Sequence, residues 1–319
     1  MRPGRKHVVA ALAVAAMATA LIASGCGGGG GDEGTSAARD GHGEVAGAHA
    51  RSPYLGPRGD RHGWMRSRRK PKSVVWAVGD AAAGTLASDG VAGMIRSHRV
   101  DRLLYLGDVY ETGTAREFNA NYRPLYGSLD AVTAPTIGNH EWPNVATGYV
   151  PYWTAASGAP PPFWYEFAVS GWQLISLNSN LPSSADQERW LASLIRKTPR
   201  YGNCRIAFMH HPVYSAGLHG DLEALQPLFD ELRGQARIVL AGHDHDMQRL
   251  RPVDGITQYV EGAGGNELYP VNRDDQRLAF GDDTHHGALR LGLRPGRAAL
   301  TFVAADGSAL DRSALTCTQ

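Results

Sequence analysis

The sequence predicts a mixed α/β domain, two packed mixed β-sheets flanked by helices, on three observations. From Ser73 onward, short apolar runs alternate with helical patterns, as in β–α–β units. Two pairs of apolar runs are separated by tight-turn residues, which marks hairpins and excludes a purely doubly wound sheet. The remaining length, about 247 residues from Ser73 to Gln319, suits one domain, and no internal repeat divides it.

The elements follow in order. Apolar runs at Val74 to Val78, Leu103 to Leu106, Trp172 to Leu177, Ile206 to Met209 and Ile238 to Ala241 are the expected strands. Between them, helices are expected at Asp89 to His98, Ala115 to Leu129, Ala185 to Lys197 and Leu222 to Leu232. The third carries a capping signature, Ser184 followed three residues later by Gln187, and stops before Pro199. Phe163 to Val169 pairs with Trp172 to Leu177 through Ser170-Gly171, and Ala288 to Leu293 with Ala298 to Val303 around Pro295-Gly296.

The chain opens with Arg2, Arg5 and Lys6, an apolar stretch from Val8 to Ile22, and small residues leading to Cys26. That pattern is an export signal over residues 1–26, too short for a comfortable membrane span. It resembles a bacterial lipoprotein signal, with Cys26 as the lipidated residue, although Ala23 departs from the usual Leu; simple secretion is the alternative. Residues 27–72 lack either period and read as a flexible tether. Its closing basic cluster, Arg66, Arg68, Arg69, Lys70 and Lys72, suits a solvated linker or an anionic membrane surface. Cys204 and Cys317 then remain as a disulfide in an oxidising compartment or as two buried thiols.

Composition excludes several classes. With 43% hydrophobic and 20% charged residues the chain is globular rather than disordered. A net charge of +1 gives no field for nucleic acid. The 13 histidines fall in tight groups, which directs attention to metal or phosphate chemistry.

Ligands of open α/β sheets bind beyond the carboxyl ends of strands. There the sequence places Gly79-Asp80, Gly107-Asp108, Gly138-Asn139-His140-Glu141, His210-His211-Pro212 and Gly242-His243-Asp244-His245. Singly each is weak, since an Asp after Gly is commonly a turn or cap. Together they offer carboxylate, amide and imidazole donors suited to hard or borderline metal ions.

These five segments resemble the calcineurin-like metallophosphoesterases. The closest branch looks like the small tartrate-resistant purple acid phosphatases, which His210-His211-Pro212-Val213-Tyr214-Ser215, His219-Gly220 and Gly262-Ala263-Gly264 also resemble. The match runs from about Val75 to Gly265. It implies a four-layer metallophosphoesterase sandwich and a metal-dependent phosphoric ester hydrolase acting on a small phosphorylated substrate. It implies two metal ions, iron with zinc, manganese or iron. Asp80, Asp108 and His245 would hold one, and Asp108, as a bridge, with Asn139, His210 and His243 the other. His140 and His219 would orient phosphate or donate a proton. Ala82 replaces the His of the wider family's Asp-x-His, as in purple acid phosphatases, which use a Tyr three residues after the second Asp. Here Tyr110 follows Asp108 by two, so it is either a ligand or a ring packed beside the site. His211, next to ligand His210, is expected to point away. His285-His286 is expected to decorate a loop, and the aromatics from Trp142 to Trp164 to pack in the core or rim the mouth. A phosphomonoesterase is the primary expectation; a phosphodiesterase and a noncatalytic metal- or phosphate-binding module are the alternatives.

Overall fold

The computed structural model describes residues 64–319; the expected export signal with Cys26, and residues 27–63 of the expected tether, lie outside the described residues. The first strands are β1 (Ser73–Val78), β2 (Arg102–Tyr105) and β3 (Thr133–Pro135). Then come β4 (Tyr165–Val169), β5 (Trp172–Ser176), β6 (Arg205–Phe208) and β7 (Ile238–Ala241). Last are β8 (Met247–Leu250), β9 (Thr257–Glu261), β10 (Leu278–Asp282), β11 (Gly287–Arg294), β12 (Arg297–Ala304) and β13 (Ala309–Thr316). One sheet has the order β13-β12-β11-β1-β2-β3, the other β10-β8-β9-β7-β6-β5-β4.

The alternation of side chains along a strand produces the layering. In β1, Val75 and Ala77 face the other sheet and join Leu104, Leu289, Phe208 and Leu240 in a core between the sheets. Val74, Trp76 and Val78 face outward, onto α1 (Leu86–Arg96) and the aromatic residues Tyr122, Tyr126 and Trp153. On the second sheet Ile175, Ala207 and Val239 face α5 (Ala185–Lys197) and α6 (Gln226–Leu232). The result is helices, sheet, sheet, helices. Because β1, β2, β6 and β7 are covered on both faces, they read as unbroken apolar runs.

Both expected hairpins are present, with Val169 opposite Trp172 and Arg294 opposite Arg297. Helix α5 starts as its cap requires, Ser184 accepting from the Gln187 N–H at 3.3 Å. The expected single helix from Ala115 to Leu129 is corrected: it divides into α2 (Ala115–Glu117), a π-turn over Phe118–Tyr122, α3 (Arg123–Tyr126) and a 3₁₀ turn. Pro124 lacks the N–H that regular α-helix needs there. Helix α4 (Tyr149–Ser157) and strands β8, β9, β10 and β13 escaped the sequence reading. Strand β9 buries Thr257, Gln258 and Glu261 and so shows no apolar run, while β13 is a half-exposed edge strand.

The last part of the expected tether rests on the domain. The Arg68 N–H donates to Ala168 O at 2.7 Å, Trp64 packs edge-on against Tyr165, and Lys70 pairs with Asp101 at 3.1 Å. Cys204, before β6, is disulfide-bonded to Cys317, after β13, joining the two sheets. Among the described residues no helix is long and apolar enough to cross a membrane.

Candidate metal centre

The carboxyl ends of β1, β2, β3, β6 and β7 converge where the two sheets meet. Backbone hydrogen bonds lace the crossing: Gly79 N–H to Glu261 O at 3.0 Å, Asp80 N–H to Gly107 O at 3.1 Å, and Gly242 N–H to His210 O at 2.9 Å. Three side chains presented here stand on left-handed backbone, Asp80 at φ 57°, Asp108 at 69° and His243 at 72°. This conformation costs a non-glycine residue about 1–2 kcal/mol. Two glycines are needed for close approach. A Cβ on Gly138 would lie 1.8 Å from Asp108 Oδ1, and one on Gly242 2.7 Å from Asp80 Oδ2.

Two halves of one cage result. In the first, Tyr110 Oη lies 2.8 Å from Asp80 Oδ1 and 2.9 Å from His245 Nε2, which is 3.4 Å from Asp80 Oδ1. In the second, Asn139 Oδ1 lies 2.8 Å from His210 Nε2 and 3.1 Å from His243 Nδ1. Asp108 Oδ2 joins them, 3.3 Å from both Tyr110 Oη and His210 Nε2. Metal bonds of about 2.1 Å give donor–donor edges of about 3.0 to 3.4 Å in octahedral or tetrahedral shells, so these separations suit a metal. The imidazoles are also prepared for it. Carbonyl oxygens only accept, so His210 donates Nδ1–H to Leu106 O at 2.8 Å, and His245 to Glu267 O at 2.7 Å. Each is left presenting Nε2 to the cage. The donor set fits a pair of ions.

Residues 73–247 match the family model described as calcineurin-like phosphoesterase. The chain belongs to the calcineurin-like phosphoesterases. It is 30% identical over 179 residues to purple acid phosphatase 21 of Arabidopsis thaliana, covering 50% of this chain and 41% of that protein. A purple acid phosphatase from yellow lupin has a similar structure: TM-score 0.63, 15% identity, 77% of this chain and 54% of that one. GAP50, the anchor in the inner membrane complex of Plasmodium, gives TM-score 0.66 at 16% identity over 78% of this chain and 90% of that one. A dimetal phosphatase from Danio rerio gives 0.55 at 15% identity, over 77% and 99%.

The acids and imidazoles of the cage shift one another strongly. Burial alone would raise Asp108, but the His210 imidazole beside it, helped by His140 and His243, holds it well below the usual carboxylate range. Burial likewise opposes charge on His210, yet Asp108, Asp80 and Glu141 push it up to about 10. Burial and the neighbouring imidazoles of His211, His210 and His219 depress His243, leaving it neutral as a ligand must be. Burial, Asp80 and Asp108 raise the Tyr110 phenol.

All seven residues expected as ligands meet in this phosphoesterase cage, including Tyr110 despite its early position. His140 borders it, Nε2 3.8 Å from Asp108 Oδ2 and ring 4.4 Å from that of Tyr110, with Nδ1–H donated to Glu111 O. His219 stacks on His243 with centroids 4.3 Å apart. The expectation for His211 is corrected. Its ring is 4.4 Å from that of His243, and it groups with His210 and His243 as a third nitrogen donor. The chain has already left β6 at Phe208, so strand alternation no longer governs residues 210 and 211. His285 pairs with Asp282 at 2.9 Å, and His286 packs by Ala263.

Two supporting residues carry no sequence-assigned role although they sit inside the motifs. Glu141 is buried and accepts from the N–H groups of Asp108 at 3.0 Å and Gly138 at 3.2 Å. Asp244 is buried and accepts from the His219 N–H at 2.8 Å and from the Ser215 hydroxyl. Each fixes the loop that carries a neighbouring functional residue. The signal was an acid immediately beside a ligand.

Proposed function

We propose that this chain is an exported, metal-dependent phosphoric ester hydrolase with a dinuclear centre, a phosphomonoesterase acting on a small organic phosphate. One observation carries the reading: Asp80, Tyr110 and His245 form one donor set and Asn139, His210 and His243 another, with Asp108 between them. Two bound ions would supply Lewis acidity and positive charge for phosphoryl oxygens. Everything else falls to this chain's residues. His140, beside Asp108, and His219, stacked on His243, would bond phosphate oxygens and give a proton to the leaving oxygen. Asp244, through the His219 backbone, and Glu141, through the Asp108 backbone, hold these groups for the reaction. The N-terminal signal pattern and the Cys204–Cys317 bond support export, with lipid at Cys26 as the proposed anchor.

The test is hydrolysis by the full-length chain loaded with zinc, manganese or iron, on mono- and diester chromogenic substrates, beside Asp108→Ala and His243→Ala. Monoester turnover that both variants lose is expected. Two ions bound without turnover above the variants would leave only a binding module, and diester preference would make it a phosphodiesterase. In an iron-loaded sample, a visible tyrosinate band that Tyr110→Phe removes is expected; no band would take Tyr110 out of the metal shell.

A further inference from the structure

Tyr269 lies outside every motif that carries the cage, yet it touches both ends of it. Its ring lies flat on His245, centroids 4.1 Å apart and planes 15° from parallel, and meets His219 edge-on at 5.5 Å. Its N–H donates to His245 O at 2.9 Å, which fixes the backbone beneath the ring. The residue therefore spans from a ligand of the first half to the histidine beside the second. Most tyrosine hydroxyls near the cage are occupied: Tyr105 donates to Asp108 O, and Tyr110 bonds Asp80. The Tyr269 hydroxyl makes no hydrogen bond among the described residues, and the residue is only half-buried.

We propose that Tyr269 is a substrate-binding residue whose phenolic O–H donates to a non-bridging phosphate oxygen, while its ring holds His245 in register. A phenol is protonated at neutral pH and is therefore a donor. A neutral donor adds a hydrogen bond to a dianionic group without contributing charge that would compete with the ions. The proposal rests on the phosphoric ester reading above.

Tyr269→Phe keeps the ring and removes the hydroxyl; Tyr269→Leu removes both. The metal-loaded full-length chain is titrated calorimetrically with inorganic phosphate, and its metal content, KM and kcat are measured. Tyr269→Phe should retain both ions and weaken phosphate binding and raise KM at least about tenfold, with a smaller change in kcat. Tyr269→Leu should also release metal more readily, through the loosened His245. Phosphate affinity and KM within twofold of the parent in Tyr269→Phe would overturn the proposal. Phosphate binding is read without turnover, so an inactive parent that binds phosphate through Tyr269 would sink the hydrolase reading alone.

Discussion

The two ends of the same strands are built on opposite terms. At the amino ends the principal charged groups are paired or hydrogen-bonded. Asp101 accepts from the Val74 N–H at 2.9 Å and pairs with Arg99 and Lys70. Buried Arg205 donates to Gln173 Oε1 at 2.7 Å, to the Thr198 and Gln235 carbonyls and to Gly202 O. The Cys204–Cys317 bond sits at the same end. At the carboxyl ends three residues hold left-handed backbone, carboxylates crowd one another, and buried Glu261 has neither side-chain oxygen partnered. One end is arranged for stability and the other for chemistry at some cost in stability.

The sharpest way to break this contrast is to remove a group from the strained end. Asp108→Gly should lower kcat/KM by about a thousandfold or more, since the bridge serves both halves of the cage. Melting of the metal-free protein should move little, because relief of left-handed strain offsets the added freedom of the unfolded chain. A large fall in metal-free melting temperature would contradict the contrast.

The next effect belongs to the other end. Cys204→Ser with Cys317→Ser opens a loop spanning 113 positions and should cost about 4 kcal/mol, roughly 8–16 °C in thermal melting. Turnover of the folded variant at 25 °C should match the parent. Lost activity in a folded, disulfide-free protein would show that the staple positions the cage.

Smaller and opposite pH effects separate the ends further. Burial, then Asp80 and Asp246, raise Glu261, so the metal-free fold keeps it protonated while the unfolded chain ionises near 4.5. Parent stability should therefore fall as pH rises above about 4.5, and Glu261→Gln should gain on the parent from pH 4 to pH 7. Asp101 runs the other way. Burial raises it, but the Val74 N–H, Arg99 and Lys70 outweigh burial and lower it from 3.8 to about 2. Its contribution is present above about 3.8 and is lost as pH falls through about 2. Asp101→Asn should be destabilising at pH 6 and nearly neutral at pH 2. Chemical denaturation across pH measures both slopes, and parallel slopes would erase the distinction.

Which parts were legible in the sequence follows from the same division. Strands buried on both faces, β1, β2, β6 and β7, showed as apolar runs, and the glycine-led residues after them marked the cage. Strand β9 was hidden because three of its five buried residues, Thr257, Gln258 and Glu261, are polar and break the apolar run. Tyr269 was hidden because its part depends on a stack with a residue 24 positions earlier, and His211 because strand alternation was extended past the end of β6. Arg68 and Lys70 read as tether because edge pairing leaves no apolar pattern.

The three left-handed positions also bear on how this chain would drift. At Asp80, Asp108 and His243 glycine is the comfortable residue, so random substitution has an easy exit at each that the fold would tolerate. A chain that served only through its shape would have no need of these side chains. Glycine at those three places would be the mark by which a relative that had given up the cage would be known.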